Sequence, residues 1–204
     1  MRAVQYPGRE TRWGEACLSD AGLLVKAVVD HWEQIAGPGP AALFGHSMGA
    51  VLAYEVAAEL SRRVPATRLV RLFVSGHQAP HLPYRAPQLR AVADADLIPA
   101  VARWFGGIPA ELQEYPDLVE VIRPVLRADL TLVETYACQR PWSRLQIALS
   151  ALGGVNDPWA TEAELQAWSA FTSGDFVLRR YPGDHFFLQQ NREELWAGLV
   201  RDLA

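Results

Sequence analysis

Residues 41–58 read AALFGHSMGAVLAYEVAA, and the fold turns on how this stretch is parsed. Ala41–Gly45 is a short apolar run of strand length, and residues 48–63 continue with a helical pattern. Between them, Gly45-His46-Ser47-Met48-Gly49 fits G-x-S-x-G. In a nucleophile elbow of this pattern the serine takes a strained backbone conformation, and strand and helix come very close. Glycines two residues to either side then relieve side-chain clashes. The helix N-terminus adds a positive dipole and free N–H groups, suited to a developing oxyanion. Chance produces such a pentapeptide in about one chain of this length in fifteen at ordinary Gly and Ser usage. The signal therefore lies in its place between strand and helix; the competing reading is a glycine-rich turn with an idle serine.

Outward from the elbow, short apolar runs alternate with helical patterns. Residues 2–6 (RAVQY) read as a strand stopped by Pro7-Gly8. From Ser19 or Asp20, either a good N-cap, Leu23, Leu24, Ala27, Val28, Val29, Trp32 and Ile35 keep a helical period until Gly37-Pro38-Gly39-Pro40. Strand 41–45, helix 48–63, strand 69–75, strand 146–152, helix 161–171, strand 176–181 and helix 191–203 follow. This alternation, with nearly continuous apolar strands, predicts an α/β fold with a parallel sheet covered on both faces. The interval 80–143 shows helical patterns at 95–105 and 111–137 and no convincing strand. It reads as a helical lid inserted between two strands of a single domain spanning 1–204.

Composition narrows the function classes. The 204 residues carry a net charge of −4 with pI about 5.7, so no global basic field invites nucleic acid. Cys17 and Cys138 lie far apart without metal-ligand spacing and read as reduced thiols. No run reaches the roughly 18 apolar residues of a membrane span, and the N-terminus lacks an apolar signal core. The expectation is a cytoplasmic protein with no membrane partner, no metal and no cofactor.

A serine nucleophile needs a base, and the base an orienting carboxylate, in the chain order Ser, Asp or Glu, His on this architecture. Parallel sheets gather ligands at the carboxyl ends of their strands. Strand 146–152 runs into GGVNDPW, which places Asp157 at such an end, and strand 176–181 runs into PGDHFFL, which places His185 at the next. His46 is too near Ser47 in sequence to reach its hydroxyl from the right side. His31 falls in a helix, and His77 and His81 lie near the rim, where substrate contact is an open alternative. Asp184 adjoins His185 and would point elsewhere, and Asn156 carries no charge.

The blocks VQYPGRE, FGHSMGA, VSGHQAP, RPVLRADLTLVETY, GGVNDPW and GDHFFL, in this order, resemble the type II thioesterases of polyketide and nonribosomal peptide synthesis. The resemblance implies an α/β-hydrolase fold with a helical lid. It implies hydrolysis of stalled or mis-primed acyl groups from the phosphopantetheine arms of acyl or peptidyl carrier proteins. Ser47, Asp157 and His185 take the triad positions, and the Met48 N–H is expected to be one oxyanion donor. Val101, Trp104, Phe105 and Leu126 read either as walls of an acyl channel or as packing. Arg85, Arg90, Arg123 and Arg127 read either as a face for an acidic carrier or as scattered surface charge.

In that family the PGR block follows a strand, a loop resembling P-H-A-G-G that supplies the second oxyanion N–H, and a helix. This sequence opens inside the strand leading to Tyr6-Pro7, and neither that loop nor a substitute such as Gly106-Gly107 stands in the right place. The expectation is therefore an N-terminally truncated thioesterase, either part of a longer protein or a weakly active homologue. Loss of one oxyanion donor typically costs roughly 10²–10³ in turnover. The alternatives are a non-catalytic carrier-binding protein and a general small-molecule esterase.

Overall fold

The computed structural model describes residues 1–63, 68–138, 141–142 and 144–204. In chain order the elements are α1 (Ala21–Asp30), α2 (Trp32–Ala36), β1 (Ala41–His46), α3 (Met48–Arg63), β2 (Leu69–Ser75), α4 (Asp94–Phe105) and α5 (Pro116–Thr135). They continue with β3 (Ala148–Gly154), α6 (Glu162–Gln166), β4 (Phe176–Tyr181), α7 (Phe187–Gln190) and α8 (Arg192–Leu203). The described strands form one parallel sheet in the order β1-β2-β3-β4. β2 and β3 are buried along almost their whole length, whereas β1 and β4, at the edges, are partly exposed.

The chain divides into two compact units, Met1–Leu24 with Arg85–Tyr136 and Val25–Tyr84 with Ala137–Ala204. In the second, α3 packs on β1 and β2. Its Tyr54 meets Phe171 edge-on at 5.0 Å and Trp168 at 5.9 Å. Phe73, Leu152, Tyr181 and Phe187 form a further buried cluster, closed by Leu188, Leu195 and Leu199. A polar network crosses the sheet to α8. Arg71 donates to Ser150 Oγ (3.0 Å), Ser150 donates to Asp202 (2.8 Å), and Arg179 binds both oxygens of Asp202. Burial alone would push the Asp202 carboxyl up, but the hydrogen bonds from Arg179 and Ser150 hold it below its ordinary value. Asp202→Ala leaves these donors without their acceptor and is expected to cost about 2–3 kcal/mol. Urea unfolding with an unchanged m-value is the check.

In the first unit, Leu89, Leu97, Val101 and Leu130 form the core, with Phe105, Ile108 and Leu126 packed against it. Val101, Phe105 and Leu126 thus serve as packing here, while Trp104 is exposed with the Arg103 guanidinium over its ring. Buried Glu134 accepts the N–H groups of Leu89 (2.6 Å) and Arg90. Arg127 donates to the Leu89 and Arg90 carbonyls and to Asp94, and Arg123 pairs with Glu120. These two arginines are engaged inside the unit.

Several expected boundaries shift for local reasons. Residues 2–6 form no strand: Arg2–Val4 are exposed, β1 pairs only with β2 among the described residues, and Arg9, just after this segment, binds Asp129 of α5. The helix begun at Asp20, whose carboxylate caps the Leu23 N–H (2.8 Å), breaks at His31. There the ring Nδ1 lies 2.9 Å from the Ala27 carbonyl, the acceptor that a continuing helix would give to the His31 N–H. The pattern 161–171 changes from α6 to a 3-10 turn at Ala167–Phe171, because the Glu164 carbonyl accepts from Ala79 instead (3.3 Å). The third strand runs two residues later than its apolar pattern, through Gly153-Gly154, which pair with Arg180 and Tyr181.

Candidate active site

Ser47 stands between β1 and α3 with φ +53, a left-handed conformation that costs a non-glycine residue about 1–3 kcal/mol. Its N–H donates to the Ser75 carbonyl at the end of β2 (2.8 Å), which fixes the turn. Gly45 is required there: a Cβ would lie 1.9 Å from the Gly49 carbonyl oxygen and 2.3 Å from its carbon. Gly49 is not required in the same way, since a Cβ there meets nothing within 4 Å. The close approach is thus carried by the glycine before the serine alone. Met48 is the first residue of α3, so its N–H has no intrahelical carbonyl to bind.

Asp157 lies in the loop after β3 and His185 in the loop after β4. Gly154 lets these loops meet, because a Cβ at that position would sit 2.1 Å from the Asp184 carbonyl oxygen. His185 Nε2 is 3.0 Å from Ser47 Oγ, and His185 Nδ1 is 2.8 Å from Asp157 Oδ2. The second Asp157 oxygen accepts the Trp159 N–H at 2.9 Å. Both side chains are buried, Asp157 at 3% and His185 at 5% exposure, which strengthens their mutual interaction. With Nδ1–H directed at the carboxylate, Nε2 is the acceptor facing the serine hydroxyl. Such a chain can remove the hydroxyl proton, hold it, and return it to a leaving group.

Of the remaining candidates, His46 packs beside the triad, and the others make contacts elsewhere or lie on the surface. The Asp184 carboxylate is taken by the Phe186 N–H (2.9 Å), and Asn156 is exposed. His31 is exposed at the break between α1 and α2, and the His81 ring lies tilted to those of Trp142 and Phe171 at 5.0 and 5.3 Å. His77 is buried, with Nδ1 2.7 Å from the Gln78 carbonyl, and Trp168 Nε1 donates to its carbonyl at 2.8 Å. Burial pushes the His77 imidazole down to about 4. His46 packs beside His185, and burial brings its imidazole down to about 3.

The thioesterase domain family matches residues 1–201. The chain belongs to that family. This thioesterase is 37% identical to thioesterase PikA5 of Streptomyces venezuelae over 195 residues, which are 95% of this chain and 67% of the relative. Its fold matches the RedJ thioesterase of the prodiginine pathway of Streptomyces coelicolor with a TM-score of 0.84 at 39% identity, over 96% of this chain and 72% of that one. It also matches BorB, the type II thioesterase of the borrelidin cluster, with a TM-score of 0.86 at 34% identity, over 99% of this chain and 80% of that one. The fold is therefore that of the α/β-hydrolases, and the thioesterase is a hydrolase acting on thioester bonds. Among the described residues no helix is long and apolar enough to cross a membrane.

Proposed function

We propose that this thioesterase hydrolyses stalled or mis-primed acyl groups from the phosphopantetheine arms of acyl or peptidyl carrier proteins, in the cytoplasm, during polyketide or nonribosomal peptide assembly. The observation that carries the reading is the hydrogen-bonded chain Ser47–His185–Asp157 in a protein of this family. His185 Nε2 takes the Ser47 proton as Oγ attacks the thioester carbonyl carbon. The Met48 N–H supports the resulting oxyanion. The tetrahedral adduct collapses by breaking the C–S bond, and His185 returns the proton to the departing pantetheine thiol. A water, deprotonated by His185, then attacks the acyl-serine, and collapse frees the carboxylic acid and restores Ser47. Asp157 holds the imidazole tautomer and stabilises its charged form throughout. The segment 80–143 serves as the lid that selects the acyl chain.

The test compares one short acyl group on a carrier protein with the same group on a truncated free pantetheine. The carrier-bound substrate is expected to give kcat/KM at least about tenfold higher, equivalent to ~1.4 kcal/mol of carrier contacts. Equal values on both would mark a general esterase. Binding of the carrier without release would mark a docking protein.

A further inference from the structure

His46 takes no part in the mechanism above, yet it touches the groups that do. Its Nδ1 lies 3.0 Å from Ser75 Oγ, and its Nε2 is buried without a hydrogen-bond partner among the described residues. Ser75 is therefore the ring's polar anchor. Ser75 is itself fully buried, and its carbonyl is the group that accepts the Ser47 N–H. One residue at the end of β2 thus holds the nucleophile through its backbone and His46 through its side chain.

The His46 ring also packs beside His185. The two imidazole centroids are 4.9 Å apart, tilted by 43°, and Phe186 and Phe187 each stand 6.1 Å from His46. Gly76, with φ +61, leaves room for both rings: a Cβ there would lie 2.6 Å from His46 Cε1 and 3.4 Å from His185 Cε1. Asp157 fixes the His185 ring at Nδ1. The rings of His46 and Phe186 pack beside it at 4.9 and 5.2 Å and limit how far Nε2 can swing from the serine hydroxyl.

From these contacts we infer that His46, anchored by Ser75, is a positioning residue that holds the His185 imidazole in line with Ser47. An apolar residue of similar size would fill the space but lacks the Ser75 bond that fixes the plane of the wall. A charged wall would oppose the imidazolium formed on His185 during each acyl transfer. Burial keeps His46 neutral, so the positive charge of turnover resides on His185 alone.

The inference rests on the Ser47–His185 reading, and the experiment separates the two. Turnover of an acyl-pantetheine thioester is measured for His46→Ala, His46→Gln, Ser75→Ala and the double variant His46→Ala/Ser75→Ala. Each is normalised to active sites counted by stoichiometric phosphonylation of Ser47, with Tm recorded and Ser47→Ala alongside. Misplacement on the ångström scale costs about 10²-fold, so His46→Ala is expected to lower kcat by about that factor with KM nearly unchanged. Ser75→Ala is expected to lower kcat by about tenfold, and the double variant to be no worse than His46→Ala, because the hydroxyl acts through the ring. His46→Gln, whose amide can reach Ser75 Oγ, is expected to recover most of the loss, which mere space-filling would not predict. Unchanged kcat per counted site, losses that multiply independently, or a rise in KM alone would each overturn the inference. If His46→Ala does not fold, Ser75→Ala and His46→Gln decide by the same criteria. Residual turnover in Ser47→Ala would overturn the underlying reading instead.

Discussion

Asp157→Asn lowers turnover by about 10⁴-fold, and Ser47→Ala by up to about 10⁶-fold, with the double variant no slower than Ser47→Ala alone. The asparagine result follows from how the carboxylate is used. Both Asp157 oxygens accept, one from His185 Nδ1–H and the other from the Trp159 N–H. Asparagine offers one acceptor and one donor. If its oxygen stays with Trp159, its amide faces Nδ1, which must then accept. The ring proton moves to Nε2, against the serine hydroxyl, and the base is lost. If the amide flips, two donors meet at Trp159 inside a buried site. Steady-state kinetics on an acyl-pantetheine thioester, together with the rate of Ser47 phosphonylation, distinguish a misplaced base from a misfolded chain. An Asp157→Asn enzyme within about tenfold of the parent would remove Asp157 from the relay, since about 10⁴ is what loss of the orienting carboxylate costs.

The residues that meet at this site were legible because the architecture leaves few choices. Apolar strands of a parallel sheet end on one side, and GGVNDPW and PGDHFFL each offer one carboxylate or imidazole directed there. Helix 48–63 and strands 69–75 and 176–181 match their sequence patterns to the residue. What the pattern missed is decided by individual hydrogen bonds that apolar spacing does not encode. The break at His31 depends on a ring nitrogen reaching a carbonyl one turn back, and the change at Ala167 depends on the N–H of Ala79. Residues 2–6 have strand composition, yet composition does not supply a neighbouring ladder.

His46 illustrates the same limit at the site. Adjacency to Ser47 correctly removes it as the base, but its partner is Ser75, 29 residues on. The two come together because His46 and Ser75 are register partners of the β1–β2 ladder. A single strand's sequence does not state its register. The two glycines of the elbow look equivalent in sequence, and only the direction of their missing Cβ atoms separates Gly45 from Gly49.

The neutral histidines beneath the site also set the behaviour of the fold in acid. His46 and His77 are held near 3 and 4 by burial, and the pull of the Asp157 carboxylate does not offset it. In the unfolded chain both titrate near 6.5, about the ordinary value. Above that pH each is neutral in both states and contributes no pH dependence. Below it the unfolded chain binds protons that the folded chain refuses, so stability falls with pH by about 1.4 kcal/mol per unit for each histidine. Between pH 6.5 and pH 5 the loss is about 1.6 kcal/mol apiece, or ~3 kcal/mol together, out of a total stability of order 5–15 kcal/mol. Asp202, held below its ordinary value, weakens the fold only below about pH 4, so the two windows separate. Urea midpoints at pH 7.5, 6.5, 5.5 and 5.0 should show a slope approaching two protons, falling to one in His77→Gln, whose amide can still donate to the Gln78 carbonyl. A flat profile down to pH 5 would mean that water reaches these rings and that His46 takes up its proton as readily as in the unfolded chain, which is incompatible with a wall that burial keeps neutral beside His185.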